Sequence, residues 1–258
     1  MADSNLFYGI GLPYLKFGKK AIQGKLVVIE GADCSGRSTQ ISMLKEWLEA
    51  NGHAVLDTGL RRSGLVGEAI DEAKKGHTLG KNTLSLLYAT DLADQVENNI
   101  IPALKAGYIV LADRYIFTLI VRDLVRGADR EWLKELFGFA LVPDHIFYMS
   151  VDSEVLLHRA LLKYGHLDYW ESGMDVCLSS DMFDSFTKYQ SQLKDEFDEL
   201  AKEYGFDVVD GSKSAEEIHM YMRDKITGLL TDNRKPAEKI DPATSAGKAK
   251  GKAKTKAN

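Results

Sequence analysis

Nine residues, Gly31 to Thr39 (GADCSGRST), carry the spacing by which proteins grip phosphate: glycine, four residues, glycine, a cation, then a hydroxyl. Gly31 and Gly36 permit the turn and let the backbone approach an anion closely. The N–H groups between them gather at a helix N-terminus, where they aim at phosphate oxygens. Ser38 stands where a hydroxyl ligates Mg²⁺, and Thr39 supports the loop. The departure is the cation, since Arg37 occupies the usual lysine position. Arginine is always charged and binds phosphate through two N–H groups, but it is longer and planar. Charge is kept and geometry is changed. Transfer of a phosphoryl group depends chiefly on positioning and electrostatics, so the change bears on rate.

The elements needed to hold such a loop are legible around it. LVVIE (26–30) reads as a buried strand, and RSTQISMLKEWLEA as a helix closing at Asn51-Gly52. Four more runs rich in β-branched residues read as strands: 54–58, 108–113, 145–151 and 206–210. Helical patterns lie between them: a long one over 83–106, one starting with Ser153 as N-cap and stopping at Gly165, and one ending at Gly205. Strands alternating with helices predict an α/β domain with a doubly wound, five-stranded parallel sheet and ligands at the strands' carboxyl ends. A glycine-rich turn without a ligand is the plain alternative for the loop, and the strand and helix flanking it argue against that.

Further motifs follow in order: LLYATDLADQ (86–95), PALKAGYIVLADRY (102–115), PDHIFYMSV (143–151) and LDYWES (167–172). Together with EGADCSGRSTQ (30–40), they resemble the thymidylate kinase family of P-loop nucleoside monophosphate kinases over roughly residues 25 to 228. The resemblance implies a P-loop kinase fold, ATP as donor with Mg²⁺, and dTMP as the first acceptor to expect. The ATP site would be Gly31, Ala32, Asp33, Cys34, Ser35, Gly36, Arg37, Ser38 and Thr39. Asp33 would contact the substrate sugar or the metal shell. Tyr88 would stack on the base, Arg114 would hold the acceptor phosphate, and Tyr115 would line the deoxyribose. Asp113, with Ser38, would organise Mg²⁺. Arg37, Arg114 and Asp33 form the expected catalytic set. Plainer readings stand beside these: Tyr88 as a core aromatic, and Asp113 with Arg114 as a structural ion pair.

Departures from the family pattern matter as much. Leu92 replaces the arginine that reads the base, Leu119 replaces an asparagine beside the base, and Arg122 replaces a tyrosine that excludes ribose. GLRRSGLVGEAI (59–70) keeps only the ending of the usual donor-side loop, with Arg61 and Arg62 either near the acceptor phosphate or simply solvated. The lid, residues 159 to 180, has only Arg159 and Lys163 as Arg or Lys residues, so Arg37 is read as doing two jobs: clamping donor phosphates and neutralising charge as they separate. An apolar base pocket discriminates poorly. Two alternatives therefore stay open: the same transfer to another nucleotide, or a nucleotide-binding module without catalysis.

The chain's 258 residues carry a net charge of −5, with eight Lys/Arg and two Asp/Glu from Arg234 onward. The tail is thus +6 and the rest −11 (−5 − 6), which argues against a duplex nucleic-acid binder. The expected organisation is an N-terminal extension (1–24), the P-loop domain (25–230) and a disordered Lys/Ala/Gly tail (231–258), solvated or weakly attracted to polyanions. No apolar stretch spans a bilayer and no secretory signal is evident, so a cytoplasmic location without a membrane partner is expected. Relatives are commonly dimers, so the resemblance admits a homodimer. Cys34 and Cys177 lack disulfide or metal spacing. Cys34 sits near a helix N-terminus, which tends to lower a thiol pKa, although a small filler in a tight turn is the plainer reading.

Overall fold

The five β-branched runs become β1 (Lys25–Gly31), β2 (Val55–Gly59), β3 (Ile109–Asp113), β4 (His145–Ser150) and β5 (Asp207–Asp210). All pair in parallel in one sheet of order β2-β3-β1-β4-β5. The computed structural model describes residues 6–14, 22–76 and 79–231. The basic tail beyond Thr231 lies outside the described residues.

The period-two alternation of buried strands builds the layers. Val27, Ile29, Leu111, Phe147 and Met149 pack with Ile41, Leu44 and Leu48 of α1 (Arg37–Ala50) and Met222 and Ile226 of α9 (Ala215–Thr231). Their neighbours Leu26, Val28, Val110, Ala112 and Tyr148 face the larger core on the other side. That core includes α3 (Lys81–Gln95), α5 (Ile116–Val125) and α8 (Met182–Tyr204). The remaining helices are α2 (Gly67–Gly76), α4 (Ile101–Lys105), α6 (Arg130–Leu136) and α7 (Ser153–Tyr164).

Two local expectations change. The long helical pattern over 83–106 is interrupted: α3 passes through a π-turn at Val96–Ile100 before α4. Pro102 has no N–H to give the carbonyl four residues earlier, so the ladder shifts register just ahead of it. α7 begins at Ser153 itself, and the extended residue before it, Asp152, occupies the N-cap. The stop at Gly165 stands, with φ 74°.

Residues 6–14 of the N-terminal extension lie on the domain. Phe7 bridges Leu141, is 1 % exposed, and is flanked by Tyr8 N–H donating to Ala140 O at 3.0 Å and Val142 N–H to Leu6 O at 2.9 Å.

The carboxyl ends of β1, β2 and β3 meet at one place. Asp113 is level with Ile29 on one side and Gly59 on the other. The phosphate loop, the turn after β2 and the turn after β3 therefore share one edge of the sheet.

Candidate active site

The phosphate loop leaves β1 at Gly31 (φ 144°) and enters α1 through Gly36 (φ 102°), both backbone states that favour glycine. Arg37 does not project from the loop. Its guanidinium turns back and is 5 % exposed: Nη1 donates to Gly31 O at 2.5 Å, to Ala32 O and to Ser35 Oγ at 3.3 Å, while Nε donates to Asp113 Oδ1 at 2.7 Å. Nη2 has a looser contact, 4.0 Å from Asp33 Oδ1. Arg37 thus braces the loop it belongs to.

Asp33 lies between arginines. Arg114 Nη2 donates to its Oδ1 and Arg122 Nη2 to its Oδ2 at 2.8 Å. Burial alone would push the Asp33 pKa up, but Arg114, Arg122 and Arg37 outweigh it and hold the carboxyl well below the usual range. Asp113 is shared between Arg37 and Ser38, whose hydroxyl donates to Oδ2 at 3.2 Å. A hydroxyl and a carboxylate this close are a hard-oxygen donor pair, the kind that suits Mg²⁺ alongside phosphate oxygens and water.

Arg114 owes its position to a residue of the 30–40 motif that had no role assigned to it. Glu30, 0 % exposed at the end of β1, accepts Tyr115 N–H at 2.9 Å, Thr118 N–H at 3.3 Å and Thr118 Oγ1–H at 2.5 Å. This pins the first turn of α5, and Arg114 just before it adopts a left-handed φ of 70°. Such a conformation is disfavoured for a side-chain-bearing residue and is held only by its surroundings. A second buried carboxylate shapes the turn after β2. Asp91 accepts the N–H groups of Arg61 (2.7 Å) and Ser63 (2.9 Å), and Gln95 Nε2 donates to it at 3.0 Å.

Between these turns runs a cleft. Its near end holds Asp33, Gly59, Arg61, Arg62, Asp113 and Arg114; along it lie Leu84 and Tyr88 of α3, Leu119, Arg122 and Asp123 of α5, and Arg126 at the C-cap of α5. The α5 residues recur at helical spacing and form one face. Lys74 of α2 and Trp170 and Glu171 of the lid close the opposite side. The lid rests on α2 through Trp170 Nε1–H donating to Lys74 O at 3.1 Å. Glu171 and Lys74 are also among the cleft groups whose pKa is shifted. Burial, with Asp33 nearby, pushes Glu171 up to about 7. Burial, with Arg122 and Arg61 nearby, brings Lys74 down to about 8. A second cavity adjoins the phosphate loop, lined by Cys34 to Thr39 together with Arg159 and Lys163 of α7. Arg159 Nη2 donates to Gly211 O at 2.9 Å and Nη1 lies 3.4 Å from Ser35 O.

The expected site residues divide as follows. The loop residues, Asp33, Asp113, Arg114 and Tyr88 come together. Tyr115 does not: its ring is 1 % exposed in the main core, because Glu30 turns the start of α5 inward. Leu92, expected beside the base, is 3 % exposed in that core and leaves the cleft wall to Leu119. Cys34 (φ 63°) packs beside Val151 and Leu156, and burial with Glu171 and Asp33 nearby raises its thiol pKa, so the filler reading fits. Arg61 and Arg62 line the cleft while pairing with Asp71 and Asp57. The cavity beside the phosphate loop is lined by the cations Arg159 and Lys163 as well as by Arg37. Lys74 and Asp123 had no motif to mark them, and Glu171 stood in LDYWES (167–172) without an assigned role.

The thymidylate kinase family profile matches residues 29–221. This chain belongs to the thymidylate kinase family. It is 37 % identical over 213 residues to a probable thymidylate kinase 2 of Saccharolobus solfataricus, covering 82 % of this chain and 99 % of that protein. A thymidylate kinase of Caldicellulosiruptor saccharolyticus is 31 % identical over 219 residues, 81 % of this chain and 98 % of its own length. A probable thymidylate kinase of Methanocaldococcus jannaschii is 32 % identical, with 77 % and 93 % covered. Among the described residues, no helix is long and apolar enough to cross a membrane.

Proposed function

We propose that this chain transfers the γ-phosphoryl group of ATP to dTMP, giving dTDP and ADP. Membership of the thymidylate kinase family supports an ATP donor and a nucleoside monophosphate acceptor. The observation that carries the reading is the approach of Arg114 and Arg37 to Asp33 of the phosphate loop, with Arg37 also held by Asp113, which supports an acceptor site facing a donor site.

In this reading the loop N–H groups, Arg159 and Lys163 hold the donor phosphates. Arg37 keeps the loop in shape and offers Nη2 to the phosphates. Arg114 and Arg122 exchange Asp33 for the acceptor phosphate, and Tyr88 forms a wall for its base. The acceptor attacks in line as its ionised phosphate, so no general base is required. Ser38 and Asp113 would hold Mg²⁺, which neutralises charge on the donor phosphates. The lid, latched to α2 through Trp170, excludes water. A cytoplasmic site of action fits a nucleotide kinase of this kind.

The test is ADP formation from Mg-ATP against a panel of dTMP, dUMP, dCMP, dGMP and dAMP. Fastest turnover with dTMP is expected. A different best acceptor would replace dTMP, and ATP binding without turnover on any acceptor would refute catalysis.

A further inference from the structure

The base-reading position of the family pattern, Leu92, is buried in the core, so the base must be read from elsewhere. The cleft has a direction. Arg114 marks its phosphate end, and on α3 the carboxylate Asp91 reaches that end by binding the backbone of Arg61 and Ser63. α5 runs away from Arg114, and at 1.5 Å per residue Asp123 lies about 10 Å along the helix from Ile116. Asp123 therefore sits well down the cleft, near Leu84, Tyr88, Arg126 and Trp170. The walls there are aromatic or aliphatic, as a base requires.

Only a few polar groups in that part of the cleft can read a base edge. Arg126 is committed: Nε and Nη2 donate to the Asp175 carboxylate at 2.7 and 3.2 Å, and Nη1 donates to Arg122 O at 3.0 Å and Tyr189 OH at 2.8 Å. Arg122 is turned to Asp33. Asp123 is 7 % exposed, and the neighbouring Ser85 hydroxyl donates to Lys81 O at 3.0 Å. A carboxyl group accepts at least two further hydrogen bonds.

We propose that Asp123 is the specificity-determining residue of the acceptor site, accepting the ring N3–H of the thymine base. The inference rests on the acceptor reading given above. Thymine and uracil carry a proton at N3, whereas cytosine presents a lone pair there that faces Asp123 with repulsion. The discrimination belongs to the carboxylate form, which only accepts hydrogen bonds. The family's arginine at position 92 is then dispensable, because discrimination has moved from α3 to α5.

Calorimetric binding of dTMP, dCMP and N3-methyl-dTMP to the full chain tests this without relying on turnover. Wild type should bind dTMP roughly ten- to a hundredfold more tightly than either analogue. Asp123→Ala should bring the three within about threefold of one another by weakening dTMP. Asp123→Asn, whose amide can turn an N–H toward cytosine N3, should favour dCMP relative to wild type. ATP affinity should be unchanged in both variants. Equal binding of dTMP and N3-methyl-dTMP by wild type would overturn the proposal even if neither variant folds. So would a dTMP to dCMP ratio that survives in Asp123→Ala. A protein that binds dTMP selectively through Asp123 yet forms no ADP would refute the kinase reading and leave this one standing.

Discussion

Asp33→Asn replaces a carboxylate by an amide of nearly the same shape, and its consequences follow from the charges around it. In the folded protein Asp33 neutralises Arg114 and Arg122 directly and Arg37 at 4.0 Å. The side chains of Asp33, Arg114 and Arg122 are 19 %, 15 % and 23 % exposed, so water screens the cluster only in part. Removing one partner of a fully buried pair costs about 3–5 kcal/mol. Partial access by water reduces this to about 2–3 kcal/mol, which lowers the melting temperature of a chain this long by about 4–12 °C. The wild-type carboxyl titrates below its ordinary value, so its stabilisation is complete above about pH 4 and is lost only as pH falls below that. The part of the gap that belongs to Asp33 itself should hence be constant from pH 5 to 8, and any drift there follows Glu171, whose raised pKa Asp33 helps to set. Sulfate should narrow it, because an anion can take the place of the lost carboxylate between the arginines. Thermal melts of both proteins at several pH values, with and without sulfate, provide the assay. Equal stability of the two proteins, or a gap that vanishes at pH 7 without added anion, would refute the charge-balance argument.

Glu171→Gln should flatten part of the pH profile of stability. The folded-state pKa is raised to about 7, so the wild-type contribution is fully present below the unfolded value and is lost as pH rises to 7. Melts between pH 4.5 and 8 should show the variant gaining on wild type across that window. Glu30→Ala leaves the buried Tyr115 and Thr118 N–H groups without their acceptor, each costing about 1–3 kcal/mol. Because the same turn aims Arg114, the KM for the acceptor should rise several-fold while that for ATP changes little; steady-state kinetics with each substrate varied in turn checks this. Arg159→Ala removes a cation from the phosphate-loop cavity and should weaken ATP binding by about tenfold in calorimetry without altering dTMP binding.

All five strands and the loop between β1 and α1 were legible because local pattern dictates them: β-branched runs for buried strands, glycine spacing for the turn, and periodic apolar residues for the helices. The break in the α3–α4 stretch needed only closer attention to Pro102. The partners of side chains were not legible in the same way. Glu30 and Asp91 stand in the 30–40 and 86–95 motifs without an assigned role, and burial against the backbone of distant turns made them the anchors of Arg114 and of the Arg61–Ser63 segment. Tyr115 follows directly after Arg114, yet the two diverge, one into the core and one into the cleft.

The sequence by itself determined that this chain folds as a phosphate-binding α/β domain, and its ordered motifs determined the family. Spacing along the chain is enough to specify a loop whose ligands are its own backbone N–H groups. Tertiary structure alone decided what Arg37 does, which face of α5 lines the cleft, and that Leu92 leaves the base to other residues. Those outcomes depend on which carboxylates, carbonyls and arginines are brought within a few ångströms across separate elements. Arg37 brings the same charge to its position as a lysine would. Its reach to Asp113 and to the carbonyls of its own loop is a property of the fold.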